Sequence, residues 1–221
     1  MSGTEILVVE TRTHGRALLR RAVTSRAGTL VGFHGYAETA AVQLERLAAI
    51  PGADGWDLLA VQGLHRFYRG RTRETVAGWM TREDRLIAIA DNVEYVDAAL
   101  DLALPRSTGP LVFAGFSQGV AMAFRAAVRG RRGAHGVIAV GGDVPPELLD
   151  DPAAHFPSVL LIRGEADEWY TEERLRRDVD ALGARGVTIE ARTIPGAHEW
   201  SPLVAPAAAE CLSAARADPH A

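Results

Sequence analysis

The segment Gly115-Phe116-Ser117-Gln118-Gly119 constrains this chain most, because of what stands on either side of it. Before it, Leu111, Val112, Phe113 and Ala114 form a short apolar run, as in a strand buried on both faces. After it, residues 120–128 are apolar almost all the way round, as in a helix enclosed by its domain. Strand, G-x-S-x-G and helix together make the pattern of a nucleophile elbow, with the serine at the tip of a strained turn. The flanking glycines are needed there because a Cβ would collide with the neighbouring strand and helix. The first N–H groups of the helix then face whatever Ser117 attacks. The alternative is a plain Gly/Ser loop, since the five-residue motif alone recurs by chance.

The rest of the chain alternates strands with helices. Residues 5–9 and 16–23 are strand candidates joined by Thr11-Arg12-Thr13-His14-Gly15, which predicts an opening antiparallel hairpin. Further strands are expected at 29–33, 57–61, 136–140, 158–162 and 188–194. Helices are expected at 40–50, at 172–184 and from Pro202 or Pro206 to 215. The longest helix spans 85–104, with Leu86, Ile89, Val93, Val96 and Leu100 as its stripe and Pro105 closing it; residues 217–221 read as a frayed tail. Residues 62–82 read as a long polar loop carrying Arg66, Arg69, Arg71 and Arg73 with Phe67, Tyr68 and Trp79. This order predicts an α/β fold: a mostly parallel eight-stranded sheet, helices on both faces, within a single domain over 1–221.

Bulk properties exclude several classes. Twenty-four basic against 28 acidic side chains leave a net charge of −4, so no global basic field points to nucleic acid. Cys211 is the sole cysteine, which rules out an internal disulfide and a thiolate metal cluster. No histidine pair has ligand spacing such as H-x-x-x-H, so neither metal nor cofactor is expected. The N-terminus shows no basic segment followed by a longer apolar one, and no apolar stretch is long enough to span a bilayer. The expected compartment is the reducing cytoplasm. A homodimer is compatible with the sequence, which does not fix the oligomeric state.

In such sheets, reactive groups gather in loops at the carboxyl ends of the strands. Four of those loops hold residues 34–36, Ser117, Asp167 and His198. A serine hydroxyl needs a base, and His198 is the best candidate; the other histidines fit less well, and His65 in the long loop is a candidate pocket residue. An acid must orient the imidazole, and Asp167 fits the chain order serine, acid, histidine, with Glu165, Glu168 and Asp143 as rivals. A tetrahedral intermediate needs two N–H donors, expected from Gln118 and Tyr36. The Tyr36 ring is a candidate pocket wall, and His34 reads as a support for its loop.

Gly115-Phe116-Ser117-Gln118-Gly119, His34-Gly35, Gly142-Asp143-Val144-Pro145, Gly164-x-x-Asp167 and Gly196-Ala197-His198 resemble the α/β-hydrolase carboxylesterase/phospholipase family. That group of small lidless esterases includes the acyl-protein thioesterases. The resemblance implies Ser117 as nucleophile, Asp167 as acid, His198 as base, and Tyr36 with Gln118 as oxyanion hole. Trp79-Met80-Thr81 is similar to the family's pocket segment, which makes Trp79 and Met80 substrate-binding candidates, with Trp169 beside the acid. The family places a small apolar and a proline step where this chain has Glu168-Trp169-Tyr170. The aromatics Tyr36, Trp79, Trp169 and Tyr170 would narrow the acyl pocket and favour short chains. The implied activity is hydrolysis of a small-molecule carboxylic ester through an acyl-serine. Thioesters, lysophospholipids, or ligand binding without turnover are the alternatives.

Overall fold

The computed structural model of the protein describes residues 3–104 and 109–217; the predicted helix stop at Pro105 and the tail from 218 on, with His220, lie outside them. In chain order the elements are β1 (Arg16–Arg20), β2 (Gly28–Phe33), α1 (Ala40–Ala48), β3 (Trp56–Gln62), β4 (His65–Tyr68), β5 (Thr75–Gly78) and α2 (Arg85–Ala103). There follow β6 (Leu111–Phe116), α3 (Gln118–Arg129), β7 (Gly136–Val140), α4 (Pro146–Leu149), β8 (Ser158–Gly164), α5 (Glu172–Gly183), β9 (Ile189–Ile194) and α6 (Val204–Ala217).

Seven strands form one sheet in the order β1-β3-β2-β6-β7-β8-β9, parallel throughout except for β1. The central strands are buried on both faces because side chains alternate across the sheet. Val137 and Ala139 join the cluster beneath α2, α3 and α5, whereas Ile138 and Val140 join the one beneath α1 and α6. Strand order reverses between β2 and β6, where Phe33 pairs with Gly115. The loops leaving those two strands therefore flank the crevice in which open α/β sheets hold their ligands.

The sheet corrects the expected strand count. Residues 5–9 form no strand, so there is no opening hairpin; β1 pairs antiparallel with β3 instead. Ile6, Leu7, Val8 and Val9 are all exposed. Four successive apolar residues lack the alternation of a half-buried edge strand, and their exposure shows that nothing among the described residues covers them.

The long loop is corrected too, because it folds into an antiparallel ribbon, β4 with β5. The ribbon continues into the segment after β2: Ala37 N–H donates to Ala77 O and Ala77 N–H to Glu38 O, each at 2.9 Å. It thus holds the Tyr36 loop in place. On α2, Leu86 lies in the first turn and is exposed, whereas Asn92 and Asp97 are buried with hydrogen-bond partners. No helix among the described residues is long and apolar enough to cross a membrane.

Candidate active site

Ser117 joins β6 to α3 with φ 51° and ψ −119°, a conformation that costs a non-glycine residue energy. Its N–H is held by Val140 O at 2.9 Å. The flanking glycines have the role expected of them. A Cβ on Gly115 would stand 2.5 Å from Gly119 O, and one on Gly119 only 2.1 Å from Phe33 O. Strand, helix and turn can approach this closely only without those carbons.

His198, in the loop after β9, places Nε2 2.8 Å from Ser117 Oγ and Nδ1 2.9 Å from Asp167 Oδ2. Asp167 follows β8 and is 4% exposed, so its charge is shielded from water and directed at its partners. Its Oδ1 accepts the N–H groups of Trp169 and Tyr170, both at 2.8 Å. With the carboxylate held this way, Oδ2 faces an Nδ1–H, and the lone pair of Nε2 faces the serine hydroxyl. The rival acids stand elsewhere: Glu165 and Glu168 are exposed, and Asp143 pairs with Arg174 and Arg177. His65 is exposed on the ribbon.

The N–H groups of Gln118 and Tyr36 take part in no hydrogen bond among the described residues. The Gln118 side chain is occupied: Oε1 accepts from Trp79 N–H at 2.8 Å and Nε2 donates to Met80 O at 3.0 Å. That side chain fastens the segment after β5 to the start of α3, a role the motif alone did not disclose.

Behind the Tyr36 loop, His34 is wholly buried. Its Nδ1 lies 2.7 Å from Gly35 O and its Nε2 accepts Gly63 N–H at 2.9 Å. Burial pushes its pKa below the ordinary value near 6.5, outweighing the Gly35 carbonyl and Glu38, which raise it. The imidazole is therefore neutral when folded and takes up protons more readily when unfolded. Stability from this residue is complete above about pH 6.5 and is lost as pH falls toward the lower folded pKa. Urea denaturation between about pH 7 and 5.5 is expected to show falling stability, with a smaller fall in His34→Asn. Equal slopes in the two proteins would refute it.

Among the remaining candidates, Met80 and Trp169 border the cleft beside Ser117. The Trp169 ring is exposed, with its centroid 6.4 Å from that of His198. Trp79 is a correction: it is fully buried, packs on Phe33, and donates Nε1–H to His34 O at 2.8 Å. It supports the Tyr36 loop from behind and does not line the cleft. The Tyr36 ring is likewise turned away, stacked on Phe67 with centroids 5.3 Å apart. Tyr170 reaches the cleft, but its hydroxyl donates to buried Asp178 at 3.1 Å. Burial raises the Tyr170 pKa well above its usual value. The cleft has a volume of about 430 Å³ and continues from Ser117 past Ala121 to Arg125. Arg125 was overlooked in the sequence, although it lies on the same face of α3, two turns beyond Ser117.

No protein-family model and no curated protein matches the chain. Solved structures do. The esterase PE8 superposes with a TM-score of 0.73 at 23% identity, over 92% of this chain and 100% of that one. Acyl-protein thioesterase 2 of Zea mays gives 0.71 at 18%, again over 92% and 100%. The Bacillus cereus carboxylesterase gives 0.69 at 16%, over 91% and 94%. This chain is built on the α/β-hydrolase fold that those enzymes share.

Proposed function

We propose that the protein is a one-domain serine hydrolase of carboxylic esters. The observation that carries this reading is the unbroken run of contacts from Asp167 through His198 to Ser117, beside two N–H groups without partners among the described residues. In the first half-reaction Ser117 Oγ attacks the ester carbonyl carbon while His198 Nε2 takes the hydroxyl proton. The carbonyl oxygen, now anionic, lies between the N–H groups of Gln118 and Tyr36. The tetrahedral adduct collapses, the C–O bond to the alcohol breaks, and Nε2–H protonates the leaving oxygen. Water then attacks the acyl-serine by the same route, releasing the acid and restoring Ser117.

Fold alone does not decide between an enzyme and a binder on the same scaffold. The strained φ of Ser117 favours the enzyme, since strain is retained where function demands it. The solved esterases and thioesterase of like fold support the same class. Incubation with a fluorophosphonate is expected to leave one adduct on Ser117, with hydrolysis of p-nitrophenyl acetate declining in step. An adduct on another residue, or none while hydrolysis continues, would overturn the assignment.

A further inference from the structure

The cleft concentrates positive charge in a chain whose net charge is −4. Four arginines line it, Arg82, Arg85, Arg125 and Arg174, against one acidic residue, Asp143. These are not the arginines of residues 66–73, which lie on the ribbon; Arg66 there donates to His14 O and Arg69 to Ala37 O.

Arg125 is the most telling of the four. It is 1% exposed, and a buried charge needs partners for its whole hydrogen-bonding edge. Glu147 supplies one side, with Oε1 2.8 Å from Nε and 2.7 Å from Nη2. Nη1 meets the sulfur of Met80 at 3.3 Å, a weak acceptor, and among the described residues no oxygen accepts from it. Met80 and Arg125 both line the cleft, so this weakly satisfied edge lies at its wall. The other three are loosely held. Arg82 has no hydrogen bond or ion pair among the described residues, Arg85 stands 3.5 Å from Glu147, and Arg174 shares Asp143 with Arg177.

Helix geometry relates this charge to Ser117. Residues 117, 121 and 125 occupy successive turns on one face, and Ala121 between them is too small to close the groove. The two end residues are separated by ~12 Å along the axis, and an arginine side chain leans back toward the helix start. A planar guanidinium pairs its N–H groups with carboxylate or phosphate oxygens.

We propose that this cleft selects esters carrying a second, anionic oxygen group, a carboxylate or a phosphate, a few bonds from the reacting carbonyl. Arg125 and Arg82 bind that group. The inference rests on the hydrolase reading above and names its substrate class.

The test compares kcat/KM on matched esters, each corrected for its rate of hydroxide hydrolysis. Mono-p-nitrophenyl glutarate is set against p-nitrophenyl valerate, which places a carboxylate or a methyl at the same acyl position. Para-acetoxybenzoate and para-acetoxyphenyl phosphate are set against phenyl acetate, which places the charge on the leaving group. At low salt at least one anionic ester is expected to exceed its neutral counterpart by about tenfold or more. Raising salt to about 0.5 M should shrink that ratio. The ratio should also fall toward unity in Arg82→Gln and in the charge-balanced double variant Arg125→Met/Glu147→Gln. The exposed Arg82 site keeps the test usable if the double variant fails to fold. The responding pair identifies which group, on which side of the ester, is recognised. Neutral esters hydrolysed with no anionic preference, or a preference that survives both variants, would overturn this inference and leave the hydrolase reading standing. Failure to hydrolyse any ester would remove both.

Discussion

Ser117→Ala is expected to lower kcat/KM on p-nitrophenyl acetate by on the order of 10⁴-fold or more, and to abolish fluorophosphonate labelling. Among the described residues, the Ser117 hydroxyl is the group hydrogen-bonded to His198 Nε2, at 2.8 Å. Without it, the N–H groups of Gln118 and Tyr36, proposed as the oxyanion hole, remain in place, but no bond forms to the acyl carbon. The fold should survive, since one hydrogen bond at a half-exposed site is worth only about 1 kcal/mol. A companion variant separates catalysis from strain. At φ 51° and ψ −119° glycine is at ease and alanine is not. Ser117→Gly is therefore expected to be as inactive as Ser117→Ala yet more stable, by about 1 kcal/mol after the entropic cost of glycine in the unfolded chain. Chemical denaturation of the two variants gives the comparison directly. Turnover retained in either would place the nucleophile elsewhere.

The parts of this molecule that were legible in the sequence are those fixed by local geometry and by chain order. Residues 111–119 encode strand, turn and helix: a side chain at 115 is forbidden by the turn's own Gly119 and Val120, whereas one at 119 is forbidden by Phe33 and His34 on the neighbouring strand β2 and the loop that leaves it. Asp167 and His198 follow β8 and β9, and parallel strands deliver both to the rim that holds Ser117. What could not be read depends on which face a side chain meets. Trp79 looked like a pocket wall, but an indole N–H buried behind the Tyr36 loop found the His34 carbonyl there. Residues 6–9 are as apolar as any interior strand, yet no layer covers them among the described residues, and hydrophobicity alone does not create one. The arginines on the cleft were passed over for the opposite reason. Charges on helices and in loops usually face water, and only Arg125, at helical spacing from Ser117, could have been traced to the cleft by counting turns.

Asp167→Asn is expected to reduce kcat by about 10³- to 10⁴-fold while leaving the chain nearly as stable, and the cause lies in the hydrogen bonds on the far side of the carboxylate. Oδ1 of Asp167 accepts two backbone N–H groups, those of Trp169 and Tyr170. An asparagine at this position keeps its carbonyl oxygen on those donors, because the reverse orientation would set NH₂ against N–H at a buried site. Its NH₂ then occupies the place of Oδ2 and faces His198 Nδ1, which must accept. The ring proton moves to Nε2, where it points at Ser117 Oγ, and the imidazole no longer offers a lone pair to receive the hydroxyl proton. The packing is intact but the tautomer is wrong. Asp167→Ala should separate the two effects. It also leaves the Trp169 and Tyr170 N–H groups without their acceptor, which is expected to cost about 1–3 kcal/mol at the buried Tyr170 group and less at the part-buried Trp169 group, as well as the activity. Stability measured by denaturant and kcat measured on one ester suffice for both variants. If Asp167→Asn retained near-normal kcat, the carboxylate would not be orienting the imidazole. One of its neighbours, Glu165, Glu168 or Asp143, would then have to move in to act in its place.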